Sequence, residues 1–239
     1  MRTLLYILLT IVAFLSCKQK ENKTDELKVQ EPPQTAWKVL FDGTSFDNWR
    51  GYLKDDMPSA WSIEDDAMVL ISADNSGNII TKNTYTNFIL SLEWKISEGG
   101  NSGIFWGIHE NENLGQPYET GPEIQVLDNE RHPDAQANPK YHQAGALYDM
   151  VQPSKDVCKP AGEWNLCEIQ IDHLKNYGSV TLNGTKIVEF PVHGQAWDAL
   201  VANSKFSDWK HFGNYHTGHI GLQDHGDKVW YRNIKIKEL

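Results

Sequence analysis

The stretch Phe88-Ile89-Leu90-Ser91-Leu92-Glu93-Trp94-Lys95-Ile96 decides the architecture. Phe88, Leu90, Leu92, Trp94 and Ile96 share one parity, so one face of the segment is apolar, the alternation of a strand resting on a core. Further along, Val180-Thr181-Leu182 and Thr185-Lys186-Ile187-Val188 flank Asn183-Gly184. An Asn-Gly pair tolerates the two positive φ angles that a two-residue hairpin turn demands. Trp61-Ser62-Ile63 and residues 68–71, around Glu64-Asp65-Asp66-Ala67, predict another hairpin, while 164–174 and 228–236 read as further strands. Only 195–201, with Trp197, Leu200 and Val201, has helical spacing. About a dozen short strands over roughly 200 residues predict an all-β chain, a two-sheet sandwich or jelly roll rather than an α/β fold.

Composition narrows the function classes. The chain has 239 residues, with 22 Lys plus Arg against 32 Asp plus Glu and a formal charge of −10. Without a basic block, this balance argues against a nucleic-acid partner. The 9 Trp, 9 Tyr and 8 Phe suit either a large β core or a surface on which sugars stack. At the N-terminus, Arg2 precedes an apolar run over 4–15, the length of a signal-peptide core and short of the ~20 residues that span a bilayer. The run ends at Ser16-Cys17, which resembles the lipobox of bacterial lipoproteins and implies a lipidated Cys17. The expected organisation is a signal peptide over 1–16, the lipidated Cys17 and a charged, Pro-containing tether over 17–36, and a folded domain over 37–239. Such a protein is exported and held to the membrane through its lipid alone, in the periplasm or at the outer membrane. Cys158 and Cys167 remain, nine positions apart around Pro160-Ala161-Gly162, and predict a disulfide in an oxidising compartment.

Three blocks concentrate polar chemistry within β-like sequence: Asn101 to His109, Gly121 to Asp134, and Gly218 to Gly226. In the second, Glu123 and Gln125 share a strand face with Leu127, opposite Ile124 and Val126. A carboxylate and an amide together on a strand face are costly if buried without purpose. In the third, Gln223 and His225 alternate with the apolar Leu222 in the same way.

Phe41-Asp42-Gly43-Thr44-Ser45 with Trp49, Asn101-Ser102-Gly103-Ile104, Gly121 to Asn129, Ala144 to Asp149, Gly162-Glu163-Trp164-Asn165, Leu182-Asn183-Gly184, and Gly221 to Gly226 with Arg232-Asn233-Ile234 follow one another along the chain. In that order they resemble the 3-keto-disaccharide hydrolase domain family, from about residue 37 to the C-terminus. The resemblance implies a concanavalin A-like jelly-roll sandwich of two antiparallel sheets that binds carbohydrate on its concave sheet and acts on glycosides whose sugar carries a ketone at carbon 3. In the Asn101-Ser102-Gly103-Ile104 strand, Trp106-Gly107 stands where many family members place an Arg.

Such a ketone acidifies the hydrogen on carbon 2, so a base can remove it, the glycosidic oxygen can leave carbon 1 by elimination, and water can add back. The site needs a base near working pH, an acid for the leaving oxygen, and donors or a metal for the enolate. His225 is the first candidate for base and Glu123 for acid or metal ligand, with Asp128 beside them. Gln125, Gln223, His142, Tyr148, Asn101, Trp106 and Arg232 are candidates for holding sugar or enolate. A divalent metal stays open, because no tight ligand spacing points to one. Two other classes remain: an ordinary glycosidase using the Glu123/Asp128 carboxylate pair, which a regular strand holds about 16 Å apart, and a lectin-like module without catalysis.

Overall fold

The computed structural model describes residues 36–71, 76–137 and 140–239. The signal segment, Cys17 and the tether over 17–35 lie outside the described residues. Among the described residues, thirteen strands form two antiparallel sheets. They are β1 (Lys38–Phe41), β2 (Trp49–Gly51), β3 (Trp61–Glu64), β4 (Ala67–Leu70), β5 (Ile79–Thr81), β6 (Phe88–Ile96), β7 (Asn101–Ile108), β8 (Glu123–Leu127), β9 (Asn165–Asp172), β10 (Tyr177–Leu182), β11 (Thr185–Phe190), β12 (His219–Leu222) and β13 (Val229–Glu238). Two helices, α1 (Asp134–Ala137) and α2 (Gly194–Ala202), and one 3-10 turn at Pro117–Glu119 complete it. The two-sheet sandwich expected from the alternating strands, and the jelly roll implied by the family resemblance, are the fold.

The larger sheet runs β11-β10-β9-β6-β13-β4-β3, with β1 alongside β13, and the smaller runs β2-β5-β12-β7-β8. β6 lies centrally between β9 and β13, and its predicted face of Phe88, Leu90, Leu92, Trp94 and Ile96 is buried. Both hairpins form at the predicted turns. Asp65 and Asp66 take φ of 47° and 60°, and Asn183 and Gly184 take 49° and 79°, the left-handed pair that a tight two-residue turn needs. Among the described residues, no helix is long and apolar enough to cross a membrane.

Strand parity in the smaller sheet separates core from site. Ser102, Ile104 and Trp106 of β7, Ile124 and Val126 of β8, and Ile220 and Leu222 of β12 turn into the sandwich, where Ser102 Oγ lies 2.8 Å from Tyr231 Oη of the facing sheet. Asn101 and Gly103, Glu123 and Gln125, and the post-β12 residue Gln223 turn the other way. This second face carries the candidate site residues.

The predicted disulfide is absent. Cys158 and Cys167 are both free thiols. Cys167 sits mid-sheet on β9, opposite Leu92 and Leu182, fully buried among apolar side chains. Cys158 belongs to the preceding loop, and its Sγ lies 3.3 Å from the Lys159 carbonyl. Burial pushes both thiols up to about 12, so neither is a ready nucleophile.

Candidate active site

The outer face of the smaller sheet opens into a cavity of about 580 Å³, within the range of small-ligand sites. Asn101, Glu123, Gln125, Gln223 and His225 line its floor, and Gln116, Tyr118, Asp134, Tyr148, Lys205, Phe206 and Trp209 line its sides. Three distant stretches of chain meet there because β12, β7 and β8 are adjacent strands.

Local sequence fixes each group. On β8, Gln125 stands opposite Gly103 and Glu123 opposite Phe105. Gly103 leaves space that the Glu123 side chain fills: a Cβ built on Gly103 would fall on the Glu123 carboxylate. Gly103→Ala should therefore fold, since the far end of a side chain can swing aside, yet lose about 10–100-fold in kcat/KM by misplacing that carboxylate. Unchanged kcat/KM in a folded variant would remove Glu123 from the chemistry. His225 is held by its neighbours. Asp224 accepts the Gly77 N–H at 2.6 Å and the Gly226 N–H at 2.9 Å, and its own N–H donates to Asn78. Gly226 completes the turn at φ 91°. His225 Nδ1 lies 3.7 Å from Asp227 and Nε2 lies 3.4 Å from Asn101 Nδ2.

Beyond β8, the segment 144–148 runs along its free edge. The Gly145 and Tyr148 N–H groups donate to the Gln125 and Glu123 carbonyls, bringing Tyr148 beside Glu123. The Tyr148 hydroxyl donates to Asp134 at 3.0 Å. His142 lies behind that wall, its two ring nitrogens each 2.8 Å from a carboxylate, one of Asp134 and one of Asp149. Asp149 in turn accepts the Lys205 N–H, and the Lys205 ammonium stacks 4.0 Å above the Tyr148 ring.

The electrostatics are uneven. Glu123 is 7% exposed, and burial pushes its carboxyl up to about 8, with Lys205 opposing and Asp134 adding to the shift. It is thus a neutral acid near pH 7. His225 stands half in solvent. Asn101, Gln125 and Gln223 each keep a buried amide oxygen without a protein partner, and an unmet buried acceptor costs about 1–3 kcal/mol. A fold retains such groups where something else satisfies them.

Six residues chosen from sequence meet in this cavity: His225, Glu123, Gln125, Gln223, Tyr148 and Asn101. Four others do not line it. Asp128 lies past the end of β8, 2% exposed. Burial opposes its ionisation, but the Gly99 and Glu130 N–H groups and Arg131 hold it below the usual carboxylate range, so it braces a turn. The Glu123/Asp128 pair is accordingly no catalytic pair. Trp106 faces the core against Phe190, as its even parity from Ser102 requires. Arg232 belongs to the other sheet, ion-paired with Glu93 at 2.6 Å and lying over Trp164. His142 supports Asp134 from behind.

Lys205, Phe206, Trp209 and Tyr118 were not among the sequence candidates, and Asp134, at the end of the second polar block, was assigned no role there. The run Lys205-Phe206-Ser207-Asp208-Trp209-Lys210-His211-Phe212 did carry a signal, three aromatic residues with polar neighbours in a segment without strand alternation. For a metal, His132, His225 and Asp227 bring ligand atoms within 4.8 Å of one another. His132 Nδ1 already accepts the Asp134 N–H at 3.1 Å, which leaves the ring proton on Nε2. The trio therefore fits a cation poorly.

The 3-keto-alpha-glucoside-1,2-lyase-like domain model matches residues 36–237, nearly the whole described chain. The chain belongs to this family. A 3-keto-disaccharide hydrolase of Bacteroides thetaiotaomicron is 38% identical to it, over 84% of this chain and 78% of the relative. Two crystal structures from Parabacteroides distasonis, both provisionally named glycosyl hydrolases, share the architecture. One has a TM-score of 0.77 at 30% identity and covers 85% of this chain and 94% of the other. The second has 0.65 at 28%, covering 85% and 100%. Family membership places the chain among carbohydrate-active hydrolases.

Proposed function

We propose that this protein cleaves glycosides whose sugar carries a ketone at carbon 3, by elimination followed by hydration. The observation carrying this reading is the meeting of a buried, neutral Glu123 with a solvent-facing His225 on one amide-lined floor. The family's name and the Bacteroides relative support the same substrate class.

The roles follow from chemistry. His225 takes the proton from carbon 2, giving an enolate whose charge rests on the carbon-3 oxygen. As the carbon-3 carbonyl re-forms, a double bond forms between carbons 1 and 2 and the glycosidic bond breaks. The departing oxygen takes the Glu123 proton. Water then adds its hydroxyl to carbon 1 while giving its proton to the ionised Glu123, and protonated His225, whose half-exposed ring exchanges its proton with solvent, returns a proton to carbon 2, so both side chains are reset and the net change is hydrolysis. The amides of Asn101, Gln125 and Gln223 offer hydrogen bonds to the enolate and the sugar hydroxyls. Lys205, near Glu123, favours negative charge in the cavity.

One observation keeps a second reading. Glu123 and Asp134 both line the cavity, and a carboxylate pair is the equipment of an ordinary glycosidase. Matched disaccharides, one normal and one oxidised at carbon 3, separate the two. The elimination reading expects cleavage of the keto sugar alone, and equal cleavage of both would transfer the assignment to the carboxylate pair.

We also infer export as a lipoprotein, resting on the apolar run over 4–15 and the Ser16-Cys17 junction. Cys17→Ser should abolish lipid attachment and release the protein from the membrane fraction. Unchanged fractionation and processing would refute the assignment.

A further inference from the structure

The cavity lining combines polar groups with a cluster of aromatic rings. Glu123, His225 and the amides of Asn101, Gln125 and Gln223 stand on the floor, with Tyr148 and Asp134 beside them. Against them stands a cluster of aromatic rings from two other stretches of chain, Tyr118 from the 3-10 turn and Phe206 and Trp209 from the loop after α2, with Phe206 6.5 Å from the Tyr148 ring.

This wall is held rigidly. Phe206 stacks face to face on Phe212 at 3.9 Å, and Trp209 sets its edge against Phe206 at 5.1 Å and 74°. Backbone hydrogen bonds close the loop from Trp209 to Phe206 and from Phe212 to Trp209, and the Gly213 N–H donates to the Thr120 carbonyl, tying the loop to the end of the 3-10 turn. Tyr118 lies 6.0 Å from Trp209. Both rings are only partly buried.

Resting on the proposed elimination, we infer that Tyr118 and Trp209 form the subsite for the leaving group, and that this group is an uncharged ring. The floor supplies all that carbons 1, 2 and 3 require, so the wall is left for the portion beyond the glycosidic oxygen. Aromatic faces recognise the flat C–H face of a six-membered ring, or another aromatic ring, by stacking. They give little to a short alkyl group. The site therefore selects disaccharides and aryl glycosides over methyl glycosides.

The test compares wild type, Trp209→Ala, Trp209→Phe and Tyr118→Ala on a 3-keto disaccharide and on 3-keto methyl glucoside. Thermal unfolding checks that each variant is folded. For Trp209→Ala, kcat/KM on the disaccharide should fall about tenfold further than on the methyl glycoside, chiefly through KM, about the worth of one aromatic contact. Trp209→Phe should keep most of the selectivity, and Tyr118→Ala should lose part of it. Equal losses on both substrates, or an unchanged ratio, would overturn the subsite. If wild type cleaved neither keto sugar, the elimination reading would fall by itself, and calorimetric binding would then judge the wall. Tighter binding of unoxidised disaccharide than of methyl glucoside, lost in Trp209→Ala, supports the subsite, and its persistence in the variant overturns it.

Discussion

Glu123→Gln should yield a protein that is more stable than wild type in alkali and nearly inert. Burial raises the Glu123 carboxyl from its ordinary 4.5 to about 8. Between those values the folded chain keeps a proton that the unfolded chain has released, so wild-type stability falls as pH rises through that window and levels off above it. Each pKa unit corresponds to ~1.4 kcal/mol, so the loss is at most about 5 kcal/mol. Glutamine stays neutral and escapes that loss. At pH 9 the variant's Tm should exceed wild type by roughly 5–10 °C, with little difference at pH 4. Activity should move the other way, falling by about 10²–10⁴ in kcat/KM with the general acid gone. Wild-type activity itself should decline as pH rises through about 8, where Glu123 ionises. A variant no more stable at pH 9 than wild type would mean that Glu123 is solvated and ionised in the fold.

His225→Ala is the second large effect. Removing the base should cost about 10²–10⁴ in kcat/KM while leaving Tm near wild type, because the ring is half exposed and its turn is held by Asp224 and Gly226. Asp227→Asn should cost less, since its carboxylate lies 3.7 Å from the ring and orients it only loosely. Near-wild-type turnover by His225→Ala would transfer the base role elsewhere, Asp134 being the next group on the cavity wall.

The alternation of β6 and the Asn183-Gly184 turn were legible because period and turn chemistry are local properties. For the same reason Glu123 and Gln125 could be placed on one face of β8 without knowing its partners. The errors arose where facing depends on more than one strand. Trp106 lies on the even parity of β7 with Ser102 and Ile104, a local fact that marks it as core once Asn101 and Gly103 are assigned to the site. Arg232 alternates properly on β13, but which sheet that strand joins is decided by pairing with β6 and with β4, more than 130 residues upstream. Asp128 carried a carboxylate near the right strand, and only the tertiary arrangement of Gly99 and Arg131 turns it to structural use.

Asp134, Lys205 and Trp209 were illegible for a different reason. They stand on a one-turn helix and an irregular loop, where no periodicity tells inward from outward. The free thiols of Cys158 and Cys167 make the same point. Nine residues of separation permit a bridge, but Cys167 is claimed by the core between Leu92 and Leu182.

The central claim is that the glycosidic bond breaks after proton removal from carbon 2, and deuterium at that carbon of a 3-keto disaccharide tests it directly. Elimination predicts a primary isotope effect on kcat/KM when proton removal limits the rate, and replacement of the deuterium by solvent hydrogen in the released sugar. Full retention of deuterium in the product, with no isotope effect, would contradict the account and mark a direct displacement at carbon 1.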